Sequence, residues 1–469
     1  MDPLLITPER SLSAAITAPM DRLLRDHLDK GPDQEDLTFA YWRPSVGKTR
    51  VTAILTQVVL PRAGERILQG NVAFTPEYLD RVLEERPADS GVALLHSHLG
   101  PGWQAMSSDD VIAERDRLGG PCFGQSGLPV LGLTLGTDGA WSARLWQREA
   151  PRMYIRHWAE TVRVVGECVR ITYHPAILAI EPTDSQVATV SVWGHAAQAQ
   201  LARARVGVVG LGSVGSIVAE ALGRVGFSNV TLIDFDLLEE RNLDRTAGAT
   251  EADVIAGLSK VQVATRNVTK TATSARLNVV AVDRSLLDEP GLLAALDCDA
   301  LICCVDRPWP RFLLNSLAYA HLIPVVDGGI AAHIKPDGTP LHVAWRIHTV
   351  GPEHACMVCQ DALRLSDVAL DRDGKLDDPD YIRGLSQEDR ARISRRNVFP
   401  FSLSVASHEV LQLIGLLTGM PRIGGIGAQT YQAYPGEMTV TQNACRQDCE
   451  FAALTAAVAD LSPNLRTAR

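Results

Sequence analysis

No apolar run in these 469 residues approaches the roughly 20 that cross a bilayer, so no membrane partner is expected. The N-terminus, MDPLLITPERSL, carries acidic Asp2 and has no basic stretch leading into an apolar one, unlike a secretory leader. An excess of positive charge is also missing: 45 Lys and Arg face 55 Asp and Glu, a net charge of −10. General affinity for nucleic acid or an anionic lipid surface has no basis in that balance. Cysteines number nine, an odd count with four in two close pairs, which suits reduced thiols and a metal site better than a disulfide framework. These features together predict a cytoplasmic location. There is no internal repeat and no low-complexity tract. What remains is ordinary globular material, 46% hydrophobic and 21% charged, with mean hydropathy of +0.02. That composition excludes a disordered, collagen-like or long coiled-coil chain. The length alone suggests about three domains.

Both halves read as α/β. VTAILTQVVL and VALLH are strand-like, Thr75-Pro76-Glu77 opens a helix, and GQSGLPVLGLTLGTDGAW predicts strands joined by glycine turns. A second rhythm starts at Arg205: the strand RVGVVG, the helix SVGSIVAEALGRVG, the strand VTLID, a helix from Ser259, then LNVVAV, ALICCVD and IPVVDGGI. Strands alternating with helices predict a doubly wound parallel sheet. The expected division is a first domain over 1–150, a connector over 151–204 and a second domain over 205–469. A polar, charge-dense crossing segment is expected at about 365–398.

In the first half, GVALL leads to His96-Ser97-His98, and Ser107-Ser108-Asp109-Asp110 follows. Two histidines at i and i+2 on a strand share a face, and Asp110 adds a carboxylate. Three such ligands leave the fourth tetrahedral position to water, as in catalytic zinc sites. Each piece also has a plainer reading: Ser107-x-x-Asp110 ahead of VIAERDRL is a helix-capping pattern, and H-x-H alone is common. Together the residues resemble the JAMM signature of the JAB/MPN metalloproteases over roughly residues 15–150. The resemblance implies that His96, His98 and Asp110 ligate zinc and that Ser107 stabilises the oxyanion. It also implies an upstream glutamate, Glu35 with Glu65 as runner-up, which takes a proton from the zinc-bound water. Where many relatives have Pro after the second histidine, this chain has Leu99-Gly100-Pro101.

In the second half, Gly210-Leu211-Gly212-Ser213-Val214-Gly215 follows a strand and opens a helix, and Asp234 closes the next strand. Glycines let the backbone approach phosphates, and the helix start adds amide donors. By themselves these residues suit a nicotinamide-dependent oxidoreductase equally well. Asn242-Leu243-Asp244-Arg245, Lys260 and Cys304-Val305-Asp306 then supply groups that suit a triphosphate and Mg²⁺. The series resembles the ThiF/MoeB and ubiquitin-activating superfamily over roughly residues 190–445. That resemblance implies a Rossmann-like adenylation domain. Asp234 would hold the ribose, Asn242, Arg245 and Lys260 the phosphates, and Asp306 the magnesium. Thr246 stands where the family often has Gln, and its N-terminal R-Y-x-R-Q is missing; neither Arg203 nor Arg205 can be given that role.

Cys356-x-x-Cys359 and Cys445-x-x-x-Cys449 form two pairs with ligand spacing, and four thiolates make a closed structural zinc site. Thioester-forming relatives usually place their cysteine in the crossing segment, yet no cysteine occurs between Cys359 and Cys445. Cys303 and Cys304 lie in an apolar strand where burial blunts a thiol. Cys298 precedes that strand, and Cys122 and Cys168 lie outside this half.

The combined resemblance implies a bifunctional enzyme like those of bacterial ubiquitin-like conjugation systems. One half would adenylate the tail carboxylate of a ubiquitin-like protein with ATP; the other would hydrolyse peptide or isopeptide bonds at that tail. The expected partners are the ubiquitin-like protein, a conjugating enzyme and a second copy through the adenylation domain. The alternatives are activation and trimming of a sulfur carrier, or an interaction module with a dead site.

Overall fold

The computed structural model describes the chain except residues 1–5, 32, 70, 335–339, 387–389, 391–396, 425–426 and 467–469. These described residues form two compact units.

The first unit is built on Met1–Gly166 and Arg170–Leu178, with Ala456–Ala459 added. Its strands are β1 (Ser11–Thr17), β2 (Leu37–Val46), β3 (Arg50–Val59), a separate hairpin of β4 (Arg66–Gln69) and β5 (Asn71–Phe74), β6 (Gly91–Ser97), β7 (Val130–Leu135), β8 (Trp141–Ala150), β9 (Met153–Trp158), β10 (Thr161–Val165) and β11 (Val169–Tyr173). Apart from the hairpin they make one sheet in the order β11-β10-β1-β3-β2-β6-β7-β8-β9. Successive side chains on a strand point to opposite faces, and both faces here are apolar. Ala40, Trp42, Ala93 and Leu95 join one core with Leu24 and Leu28 of the helix Ala18–Leu28. Phe39, Tyr41, Val92 and Leu94 join the other with Tyr78 and Val82 of the helix Pro76–Glu84.

The expected connector over 151–204 is therefore a misreading, as is a first domain ending at 150. Its first part is β9–β11, which extend the sheet at both edges, β9 beside β8 and β10 beside β1. The strand MYIRHW hides its strand character because an edge strand exposes much of its surface. The rest of that stretch, from Ala179, belongs to the second unit and includes the helix Val187–Arg203.

The second unit has an eight-stranded sheet of β12 (Arg205–Val209), β13 (Asn229–Ile233), β14 (Asn278–Val282), β15 (Ala300–Cys303), β16 (Val325–Ile334), β17 (Pro340–Val350), β18 (Ala428–Gln432) and β19 (Glu437–Thr441). The order is β14-β13-β12-β15-β16-β17-β18-β19. The first five are parallel and the last three antiparallel. The chain first runs outward from β12 to β14, then returns to place β15 on the other side of β12. This reversal opens a crevice at the carboxyl ends of β12 and β15, the usual place for a ligand in such sheets. The expected Rossmann-like α/β core is present.

The crossing segment begins as helices, Leu365–Arg372 and Pro379–Gly384, and part of it lies outside the described residues. The 20-residue helix Phe399–Thr418 corrects another expectation: 18 consecutive residues of it reach a mean hydropathy of 1.3, long and apolar enough to cross a membrane, and 61% of them are buried in protein. Its buried Glu409 and Gln412 interrupt the apolar run in the sequence.

Candidate functional site

In the first unit, His96 shares a face of β6 with Val92 and Leu94, and His98 continues that parity just past the strand. The His98 N–H donates to the Leu135 carbonyl at 2.9 Å, which extends the pairing with β7 and fixes where the ring stands. His98 Nε2 lies 3.1 Å from His96 Nε2 and 3.1 Å from Asp110 Oδ2, and His96 Nε2 lies 3.4 Å from Asp110 Oδ1. One ligand atom from each residue converges within 4.8 Å, a set that could hold a metal ion. Tetrahedral ligands about 2.05 Å from zinc stand about 3.3 Å apart, so the spacing fits.

The capping reading holds as well. The Ser107 hydroxyl accepts the Asp110 N–H at 3.1 Å, and Asp110 Oδ2 accepts the Ser107 N–H at 3.0 Å. The cap thus aims the carboxylate, and Ser107 stays exposed at the helix start. Burial first, then the Arg144 guanidinium, pushes His96 down to about 3, which keeps the imidazole neutral as a metal requires. Burial acts to raise Asp110, but the His98 hydrogen bond and His96 hold it well below the usual carboxylate range.

Glu35 is half-buried just before β2, close enough to feel both His98 and Asp110. Burial, with Asp110 adding to it, raises its carboxyl against the pull of His98 and the Leu99 N–H. Glu65 is not at this site. Its carboxylate takes two hydrogen bonds from Arg81 at 2.6 and 2.7 Å and one from the Arg62 N–H at 2.6 Å.

Sequence reasoning missed the support beneath the histidines. The chain from Ile112 to Leu118 is a π-helix that turns Glu114 inward, where it is fully buried. Glu114 accepts Arg144 Nε at 3.0 Å and Trp146 Nε1 at 2.7 Å. Arg144 also donates to the Thr134 hydroxyl, which lies 3.5 Å from His96 Nε2. Gly132 is needed there because a Cβ would collide with the Glu114 carboxylate. A Glu inside an otherwise ordinary helix start carried no signal for this.

In the second unit, Gly210 has φ +87°, a conformation that favours glycine. A Cβ on Gly215 would collide with the Gly210 carbonyl oxygen and stand 3.1 Å from Cys304 Cβ, so the loop packs directly on the end of β15. Around Gly212, by contrast, a Cβ would meet nothing within 4 Å: this backbone faces open space at the start of the helix Ser213–Val225. Asp234 Oδ2 accepts the Leu211 N–H at 2.5 Å and Oδ1 the Asp236 N–H at 2.8 Å, which ties the end of β13 to the glycine loop. Burial raises its carboxyl, with Lys260 opposing. Asn397 reaches the same loop, donating to the Ser213 hydroxyl at 2.7 Å, a contact no motif announced.

The expected phosphate residues have local partners instead. Lys260 Nζ donates to Asp236 at 2.6 Å, Arg245 to Asp244 at 2.7 Å, and Asn242 accepts the Glu239 N–H at 3.0 Å as part of a reciprocal cap. Asp306 is exposed, three residues beyond β15 and on the crevice side of the sheet. Arg205 begins β12, at the opposite end from Gly210, and Arg203 precedes it.

The two cysteine pairs meet. All four sulfurs lie within 4.8 Å of one another, and Cys356 Sγ is 3.6 Å from Cys449 Sγ. Sulfurs tetrahedral about zinc at about 2.3 Å stand about 3.8 Å apart, so this set also fits a metal. The Cys356 and Cys359 amides donate to Cys445 and Cys356 sulfurs at 3.2 and 3.3 Å. Hydrogen bonds from Cys356 and Tyr319 pull the Cys445 thiol down, toward the thiolate a metal needs.

Against known proteins, the chain is 27% identical over 169 residues to ubiquitin-like modifier-activating enzyme 5 of Drosophila willistoni, covering 34% of this chain and 39% of that one. It is 32% identical over 142 residues to the molybdopterin-synthase adenylyltransferase of Escherichia coli K12, covering 30% of this chain and 54% of that one. The chain thus spans about two fifths of the first relative and about half of the second. A crystal structure of E. coli MccB with ATP aligns at a TM-score of 0.42 and 18% identity, over 54% of this chain and 68% of that one. The ThiF family profile matches residues 183–443. That match takes in the glycine loop, Asp234, Asp306 and the first cysteine pair and exceeds half of the sequence, so the chain belongs to the ThiF family.

Proposed function

We propose that the second unit adenylates the C-terminal carboxylate of a ubiquitin-like or sulfur-carrier protein. The observation that carries this reading is the open glycine loop at the switch-point crevice, bonded to Asp234, in a member of the ThiF family. The names of two relatives, a ubiquitin-like modifier-activating enzyme and an adenylyltransferase, agree with it. The backbone at Gly212 and the helix start receive phosphates, and Asp234 takes ribose hydroxyls. Lys260 and Arg245 turn from their neighbouring carboxylates to the triphosphate. Asp306, a single exposed carboxylate at a strand end, suits Mg²⁺ held partly by substrate phosphates. The tail carboxylate attacks the α-phosphorus, and pyrophosphate leaves. Exchange of labelled pyrophosphate into ATP, dependent on Mg²⁺ and on a carrier tail, tests this. Exchange absent with both ubiquitin-like and sulfur-carrier candidates refutes it.

For the first unit we propose a zinc-dependent hydrolase that cuts the peptide or isopeptide bond after such a tail. The support is the convergence of His96, His98 and Asp110 with Glu35 beside them. Bound zinc supplies Lewis acidity and a water of lowered pKa. Glu35 accepts that proton and returns it to the leaving amine, and the exposed Ser107 donates to the developing oxyanion. Metal analysis should find two zinc ions per chain, one in this set and one in the four-cysteine set. E35Q should keep both ions and lose cleavage of a tail fusion. E35Q cleaving at the wild-type rate refutes the assignment. Conjugation with a separate enzyme and self-association through the second unit belong to the same proposal.

A further inference from the structure

The crevice of the second unit is bordered by a segment far away in sequence. Asp460–Arg466 touches the chain that follows three of the parallel strands, through two hydrogen bonds and one ring contact. The Trp309 indole N–H, three residues past Asp306, donates to the Asn464 carbonyl at 2.9 Å. The Arg466 N–H donates to the carbonyl of Leu287, in the loop after β14, at 2.8 Å. The Arg466 guanidinium stands 5.1 Å above the ring of Phe235, the residue after Asp234. Held at Asn464 and Arg466, the segment runs from the β15 side to the β13 side along the carboxyl edge of the sheet, where the proposed ribose and magnesium carboxylates lie.

Charge gives this placement a consequence. The crevice edge carries Asp234, Asp236 and Asp306, yet its proposed ligand is a polyanion. The nearby cations are largely spoken for: Lys260 by Asp236, Arg245 by Asp244, and Arg307 by Asp371 and Asp377 at 2.7 Å each. Arg466 differs: it is exposed and stacked on an aromatic ring, and it forms no ion pair with a carboxylate among the described residues. A guanidinium held over a ring keeps its full charge and its donors for another group.

We propose that Asp460–Arg466 is a wall of the nucleotide site and that Arg466 is a nucleotide-binding residue, supplying positive charge to the phosphates from the ribose side. This rests on the adenylation reading of the same crevice. The full chain should be titrated by calorimetry with Mg²⁺ and the non-hydrolysable α,β-methylene analogue of ATP. R466A is expected to weaken binding about 3–10-fold, more at low ionic strength, as a through-space charge requires. R466K should recover to within about twofold of wild type, and R466E should bind more weakly than R466A. Equal affinity of R466A and wild type at low salt overturns the proposal, even if R466A melts at a lower temperature. So does R466K binding as weakly as R466A. A wild-type chain that binds no nucleotide overturns both this proposal and the adenylation reading, whereas binding unaffected by R466A overturns this proposal alone.

Discussion

Glu114→Ala should destabilise the first unit and loosen its metal set at the same time. The carboxylate is fully buried, Arg144 is 1% exposed, and Glu114 is the acceptor for both Arg144 and the Trp146 indole. Removing it leaves a guanidinium with an uncompensated charge in the interior, which costs about 3–5 kcal/mol. The orphaned indole N–H costs about 1–3 kcal/mol by itself, though the two losses share one cavity and do not add. We therefore expect a loss of about 3–5 kcal/mol in denaturant unfolding. At about 2–4 °C per kcal/mol for a unit of this size, the melting temperature falls by about 6–20 °C. The same change leaves Arg144 positive beneath His96, through Thr134, so zinc affinity of the histidine set should fall about 10–100-fold. Glu114→Gln keeps an acceptor for Trp146 and should fall between wild type and Glu114→Ala. A stability loss below about 1 kcal/mol for Glu114→Ala would refute the buried-pair argument.

Gly215→Ala must move the Gly210 carbonyl or the end of β15, at a cost of about 1–3 kcal/mol; nucleotide binding should drop at least tenfold by calorimetry, and unchanged binding would show that the loop tolerates displacement. Hydrogen bonds from Arg81 hold Glu65 below its usual pKa, so its contribution is present above about pH 4.3 and is lost as pH falls through the folded value. Glu65→Gln should accordingly cost about 1.5–3 kcal/mol at pH 7 in urea titrations, and the gap should shrink as the solution is acidified; a gap independent of pH contradicts the ion pair. Burial drives Cys303 and Cys304 well above the usual thiol range, and four other cysteines face one another in the metal set. The chain should therefore form no thioester with its carrier, and a thiol-sensitive adduct mapped to any of its cysteines on non-reducing gels would overturn that expectation.

Local pattern determined more here than composition did. The glycine loop, its flanking strand and its helix were legible because glycine spacing, a short apolar run and a 3.6-residue period all act within about 20 residues. The same holds for His96-x-His98, whose shared face follows from strand alternation, and for Ser107-x-x-Asp110, whose cap is a local hydrogen-bond exchange. Two cysteine pairs some 90 positions apart could be paired because thiolates of that spacing have few other uses.

Tertiary structure decided what depends on contacts between distant segments. Only the fold separates Glu35 from Glu65, since nothing in either sequence neighbourhood says which carboxylate reaches His98 and which is consumed by Arg81. Only the fold makes β9 and β11 the edges of the first sheet, because half-exposed edge strands lack the apolar alternation that marks strands with buried faces. The π-helix that buries Glu114 depends on the room left by Gly132, 18 positions later, and on Arg144 arriving from β8. Arg466 beside Phe235 joins residues more than 200 positions apart through a ring contact that has no sequence period at all. Short-range geometry is written in the order of residues, whereas the pairing of charges and the bordering of a crevice are fixed only when the sheet brings its strand ends together.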